Sequence, residues 1–206
     1  PEVGLIQDYK VVFVGTGRYL AASDASDDSQ QSFYAIKDPR ATGTTPSTAI
    51  FDNPGGTPRV VGTSTAGFVG PVQTETTCDT TVITSGLCAN GQVVRTSTNN
   101  AVNFLSDNGW YVDLVGDSER VNVDPALGLG LLVFNTNAPS LLACDVGGQS
   151  YSYYLNYLNG GPNYSAGNGD SASNNGIAGI FLANELASAP GLIMTKSGKL
   201  IVLSGL

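Results

Sequence analysis

Residues 10–20, KVVFVGTGRYL, and residues 32–38, SFYAIKD, constrain the fold of this chain more than any other stretch. Val11 and Phe13 alternate with Val12 and Val14, and Gly15 and Gly17 end the run, so the segment reads as a strand with opposed faces. Residues 32–37 supply a second apolar and aromatic strand of similar length, and the polar link between the two completes a hairpin. Such a pair reads as one hairpin of a larger sheet.

The remainder reads as strands and loops almost throughout. Residues 40–58 are rich in Thr, Pro, Asn and Gly, and Asp52, Asn53, Pro54, Gly55 and Gly56 form a strong turn signal, which predicts a long surface loop. Short strands are expected at 59–63, 67–73, 82–83 and 92–96. Residues 110–115, 120–123, 129–136 and 150–157 follow one another with turn residues between them, as the four strands of one antiparallel blade would. A second polar loop is expected at 161–176. Residues 177–186 fit a short helix or a strand, and 192–195 with 200–203 predict a terminal hairpin around Ser197 and Gly198.

Charged residues make up 13% of the chain, about half the usual ~25%, with Gly, Ser, Thr and Asn in their place. That is the composition of a secreted or surface protein. The net charge of −8 and nine scattered basic residues argue against nucleic acid as a partner. No apolar run approaches the ~20 residues that a membrane-spanning helix needs.

The hairpin of residues 10–38, the block GWYVDLVGDSERVNVDP at 109–125, LLVFNTNAP at 131–139 and CDVGGQSYSYYLNYLNGG at 144–161 together resemble the PilY/PilC family of type IV pilus biogenesis factors and tip adhesins. The blocks stand in the family's order, at the C-terminal end of its β-propeller, and cover roughly half the chain. The resemblance implies an all-β fold, a β-propeller segment over residues 1–206. At about 40 to 50 residues per four-stranded blade, the 206 residues would supply about four blades with long polar loops. Family members are much longer, so it also implies a fragment or processed form whose remaining propeller lies upstream. Pro1 in place of an initiator methionine agrees with that expectation. By resemblance the role would be non-enzymatic: type IV pilus assembly, control of retraction and of twitching motility, and adhesion to a host or abiotic surface. The implied partners are minor pilins at the pilus tip, and the implied place is the cell surface, pilus tip or outer membrane. The rivals are a self-assembling extracellular filament subunit and a carbohydrate-active propeller enzyme.

Three groups of residues are site candidates. Cys78 and Cys88 flank a polar loop, and the spacing permits a disulfide that closes residues 78–88 as an insertion. Cys144 then lacks a partner, and its pairing with Cys78, Cys88 or a cysteine upstream stays open. Asp24, Asp27 and Asp28 cluster in the link of the first hairpin, where oxygen ligands would suit calcium and a solvated loop is the plainer reading. The family's calcium loop, an EF-hand-like Asp-rich string, has no counterpart here, and no Arg-Gly-Asp tripeptide occurs. Tyr151, Tyr153 and Tyr157 fall on one face of a strand, either packed on a neighbour or set as a platform on which sugars stack.

Catalysis and cofactors find little support. With no histidine in the chain, Ser-His-Asp and Cys-His arrangements are excluded and a zinc site would need a fourth ligand from elsewhere. Asp113, Asp117, Glu119 and Asp124 are close enough in sequence to be weighed as a glycosidase pair. Asp117, Glu119 and Arg120 read better as a charged turn, and Asp124 before Pro125 as a turn cap.

Overall fold

The computed structural model describes residues 1–41, 67–81, 88–140, 147–163, 169–170 and 175–205. The first hairpin is the nucleus of one sheet. Strands β1 (Glu2–Ile6), β2 (Tyr9–Gly15), β3 (Ser32–Ala41), β4 (Phe68–Val69) and β7 (Gly109–Asp113) lie in the order β1-β2-β3-β7-β4, antiparallel except where β4 runs parallel to β7. The alternation in residues 10–38 becomes alternating burial: Val11, Phe13, Phe33 and Ala35 are fully buried, while Val12, Val14 and Tyr34 lie on the other face.

The second sheet contains β5 (Gln73–Thr77), β6 (Val93–Thr98), β8 (Ala126–Gly128), β9 (Leu131–Pro139), β10 (Gly148–Asn156) and β12 (Asn175–Ala183), in the order β5-β6-β12-β10-β9-β8. The two-residue β11 (Gly169–Asp170) pairs with the start of β12. A separate hairpin, β13 (Gly191–Met194) with β14 (Leu200–Leu203), ends the described chain. The only helical element described is a 3-10 turn at Ala22–Ser26. The all-β expectation therefore stands, and residues 177–186, open between helix and strand, contain β12.

The two sheets close on one core through a run of stacked rings. Phe33 lies 4.1 Å from Phe134, Phe134 lies 4.8 Å from Tyr153, and Phe33 lies 6.3 Å from Trp110, all in stacked orientation. Strand β9 is buried at eight of its nine positions. Its inner face carries Leu132 and Phe134, and its outer face is roofed by the segment after β12, where Asn135 Nδ2 donates to the Ser188 carbonyl at 2.7 Å and Asn137 exchanges bonds with the Ala187 backbone. A strand covered on both sides loses the alternation of a half-exposed one.

One grouping needs correction. Residues 110–115, 120–123, 129–136 and 150–157 do not make a four-stranded blade. β7 belongs to the first sheet, held by β3 through Ala35 opposite Trp110, whereas β9 and β10 are neighbours in the second. Residues 120–123 form no strand and contribute only the Arg120–Asn137 bridge. Succession along the chain did not fix the partners because the chain crosses between sheets at residues 114–120.

The short strand expected at 67–73 resolves into β4 and the first residue of β5, and that at 92–96 lies within β6. The expected strands at 59–63 and 82–83 fall outside the described residues. The loop expected at 40–58 begins in β3, which runs to Ala41, and its remainder lies outside the described residues. Within 161–176, residues 161–163 are buried, 169–170 form β11 and 175–176 open β12.

Candidate functional site

The crossover from β7 to β8 carries an acid into the space between the sheets. Gly116 has no room for a side chain, since a Cβ there would sit 2.5 Å from Glu119 Oε2, and the tight turn it allows folds Glu119 inward. Glu119 is fully buried and its carboxylate is fully occupied. Oε1 accepts from Thr136 Oγ1 at 2.6 Å and Tyr153 Oη at 2.9 Å, and Oε2 accepts from the Gly116 N–H at 2.9 Å and Arg95 Nη2 at 3.2 Å.

Arg95, on β6, is 1% exposed and joins this acid to a second one. Its Nη1 pairs with Glu75 Oε2 from β5, its other arm pairs with Glu119, and its guanidinium lies 4.1 Å from the centre of the Tyr151 ring. The arrangement is the favourable one for a buried cation: two counter-charges and an aromatic face. Among the described residues, Arg95 Nε is buried without a partner, as are both side-chain polar atoms of Gln73. Burial pushes the Tyr153 phenol well above its ordinary pKa, with the adjacent Glu119 carboxylate adding to the effect, so Tyr153 stays a proton donor to Glu119. Burial also raises Tyr151, partly offset by Arg95. Arg95 is driven down by burial but raised on balance by Tyr153, Glu119 and Tyr151.

A cleft of about 480 Å³ opens above this network, lined by Glu75, Arg95, Asp117, Gln149, Tyr151 and Phe181. The cleft is a polar recess on a rigid floor. Its inner acid has every lone pair engaged by named donors, and its outer acid is paired with Arg95, which suits charge stabilisation of the seam between the sheets.

Asp117, Glu119 and Arg120 do stand at a turn, closed by the Glu119 N–H to the Gly116 carbonyl at 3.2 Å, but the turn is not solvated at Glu119 and Arg120, which are 1% and 2% exposed. Arg120 reaches the link of the first hairpin. Its Nη1 donates to the carbonyls of Arg18, at 2.8 Å, and Asp24, and its Nη2 donates to the Asp27 carbonyl at 2.8 Å. This clamp decides the fate of Asp24, Asp27 and Asp28. A guanidinium already gathers the loop's carbonyl oxygens, while the Asp24 carboxylate accepts from the Leu20 and Ala21 N–H groups at 2.8 and 2.9 Å and from Arg18 Nε at 2.9 Å. Asp27 accepts from the Ser29 N–H. Among the described residues no cluster of three acidic or cysteine side chains is placed to hold a metal ion.

Asp24 therefore holds the 3-10 turn. The Leu20 N–H bond first, then those of Ala21 and Arg18, lower its pKa. A carboxyl whose folded pKa lies below its unfolded value of about 3.9 contributes fully above that value and loses its contribution as pH falls through the folded pKa. The protection of the Leu20 and Ala21 amides, taken relative to the intrinsic exchange rate at each pH, is expected to be steady from neutral pH down to about 4 and to fall below it, before global unfolding. The variant Asp24→Asn should show fast exchange there at neutral pH. Exchange in Asp24→Asn equal to that of the parent chain would remove this role.

The other candidates are placed as follows. Cys78 and Cys88 are bonded, 6.2 Å apart at Cα, and pack in a small cluster with Val94 and Ile177, while Cys144 lies outside the described residues. Tyr151 and Tyr153 are 6% and 0% exposed and Tyr157 packs on the same core, so they form no external platform for sugars. The cause is the strand's position: β10 sits between β9 and β12, and its Tyr face meets the first sheet. Asp113 accepts from Ser32 Oγ at 2.6 Å and Asp124 pairs with the N-terminal amine at 3.2 Å. With Glu119 buried, Asp113, Asp117, Glu119 and Asp124 are dispersed rather than paired across one cleft. Sequence reasoning missed Arg95 and Glu75. The signal was an arginine in a Val-Val-Arg-Thr strand, directly opposite Glu75 in register.

No protein-family model matches the chain. Over 159 residues, 73% of this chain, it is 26% identical to a type IV pilus biogenesis factor PilY1 homolog from Xylella fastidiosa strain Temecula1. The chain spans 9% of that protein's length. Its fold matches the crystal structure of the Pseudomonas aeruginosa PilY1 C-terminal domain with a TM-score of 0.67, over 98% of this chain and 42% of that one, at 19% identity. The sequence similarity is to a member of the family that the sequence blocks resemble, and the structural one shows the fold of a β-propeller-like C-terminal domain.

Proposed function

We propose that this chain, similar to PilY1-type proteins in sequence and in fold, is a C-terminal propeller segment of a type IV pilus factor that acts by binding and assembly, without catalysis. The observation that carries the reading is the coincidence of a sequence match over 73% of the chain with a fold match over 98% of it. The structure supplies a rigid two-sheet scaffold with a charged floor, which suits a part that holds shape under mechanical load. On this reading the segment meets minor pilins at the pilus tip at the cell surface, limits retraction, and presents its loops to a host or abiotic surface. No helix among the described residues is long and apolar enough to cross a membrane.

The test is an in-frame deletion of these residues in the source bacterium. Surface pili recovered by shearing are expected to fall at least tenfold and twitching to stop. Blocking retraction in the same strain is expected to restore pili, because assembly would then no longer compete with withdrawal. Normal pili and normal twitching in the deletion strain would overturn the proposal.

A further inference from the structure

Strand β5 is held to the molecule unevenly. Among the described residues it pairs only with β6, and all of its residues after Gln73 are exposed. Its start is pinned. The Val72 N–H donates to Thr98 Oγ1 at 2.9 Å, the Thr98 N–H returns a bond to the Val72 carbonyl at 3.0 Å, and Gln73 is buried. Its end is clasped by the Cys78–Cys88 bond, beside which the Cys78 N–H donates to the Gln92 carbonyl and the Gly91 N–H to the Cys78 carbonyl, both at 2.8 Å. Glu75 stands between pin and clasp, opposite Arg95.

The partner strand needs no such clasp. β6 pairs with β12 along its other edge, and Gln92 Nε2 donates to the Phe181 carbonyl at 2.9 Å. Arg95 is likewise fixed from within, by Glu119 and the Tyr151 ring. The disulfide lies outside the main core, in the separate cluster with Val94 and Ile177, and joins residues only 10 apart in sequence. Opening so local a loop frees the end of β5 and takes nothing out of the aromatic core.

We propose that β5 is a hinged flap whose position is set by the redox state of Cys78 and Cys88. Oxidised, it holds Glu75 on Arg95 and walls the cleft; reduced, it swings about Val72 and takes Glu75 away. Every part of the device lies within the β5–β6 hairpin and its contact with Arg95. The reductant is a dithiol. One of its thiolates attacks a sulfur of the bond and the second displaces the resulting mixed disulfide, so that Cys78 and Cys88 leave as thiols with two electrons and two protons while the dithiol closes to its own disulfide. Glu119 then remains as the carboxylate on Arg95, and the guanidinium arm that Glu75 held turns to the cleft.

The test is amide exchange of the chain, followed residue by residue by NMR, before and after treatment with dithiothreitol in the absence of denaturant. Reduction is expected to lower the protection of the Cys78 and Gly91 amides by about ten- to a hundredfold, the closure entropy of so short a loop expressed as an equilibrium constant. The backbone amides of Thr98, at the hinge, and Asn137, which donates to the Arg120 carbonyl, are expected to change by less than about twofold. The variant C78A/C88A is expected to show the reduced pattern without reductant. Glu75→Gln is expected to shift the urea midpoint of the oxidised chain and to leave that of the reduced chain unmoved, which a disulfide that only stiffens its own loop does not predict. Three results would each overturn the proposal: resistance of the bond to dithiothreitol in the folded chain, unchanged protection at Cys78 and Gly91 once iodoacetamide labelling shows both thiols free, or parallel loss of protection at Thr98 and Asn137. So would an equal effect of Glu75→Gln in both states.

Discussion

Replacing Glu119 by alanine is expected to destabilise the fold by about 3–5 kcal/mol, the range for removing one partner of a buried ion pair. Four donors converge on this carboxylate, from Gly116, Arg95, Thr136 and Tyr153, and none can turn to water in place. Glu75 would remain beside Arg95, but it is half-exposed and answers only the Nη1 arm. The measurement is urea unfolding of parent, Glu119→Ala, Arg95→Met and the double variant. Because the two residues touch, their effects should fail to add by about 1–3 kcal/mol, the double variant being less damaged than the sum. Glu119→Gln should fall between, since the amide still accepts from Thr136 but no longer balances Arg95. A loss below about 1 kcal/mol for Glu119→Ala would show that the cleft lets water take over the acid's role.

How far this was legible in the sequence depends on whether the information was local. Val11 and Phe13 alternate with Val12 and Val14, so the two faces were legible, while the burial of the first face rather than the second depends on the rings of Trp110 and Tyr157 that meet Phe13. The terminal hairpin was legible for the same reason, through Ser197 and Gly198 between two apolar runs. The charged residues misled because their meaning is not local. Asp-Ser-Glu-Arg at 117–120 reads as a charged turn, yet Glu119 finds Arg95, Thr136 and Tyr153 on three different strands, and Arg120 finds carbonyls about a hundred residues away. The blade grouping failed for an equivalent reason. Whether Trp110 pairs with a strand that follows it or one that precedes it by some seventy residues is settled by which cavity its ring fills. The tyrosines of β10 show the intermediate case: their common face was legible, while its direction, inward, needed the neighbouring strands.

That ring gives the second large effect. Trp110 is fully buried and extends the aromatic run from Phe33, at 6.3 Å, to Phe13, at 6.1 Å. Its indole N–H donates to the Tyr157 carbonyl at 3.0 Å, tying β7 of the first sheet to the end of β10 in the second. Gly160, at φ 69°, lets the backbone close over the ring, since a Cβ there would stand 2.5 Å from Trp110 Cε3. Trp110→Ala is expected to cost about 3–5 kcal/mol, the range for truncating a large buried aromatic with incomplete collapse of the cavity. For a chain of this size that corresponds to a fall in Tm of roughly 6–20 °C, at about 2–4 °C per kcal/mol. Trp110→Phe keeps much of the ring area and leaves the Tyr157 carbonyl without its donor, so a smaller loss of about 1–3 kcal/mol is expected. Calorimetry on the two variants separates packing from the hydrogen bond. If Trp110→Phe is as damaging as Trp110→Ala, the bond between the sheets matters more than the filled volume, and if both are mild the two sheets do not depend on this ring for their closure.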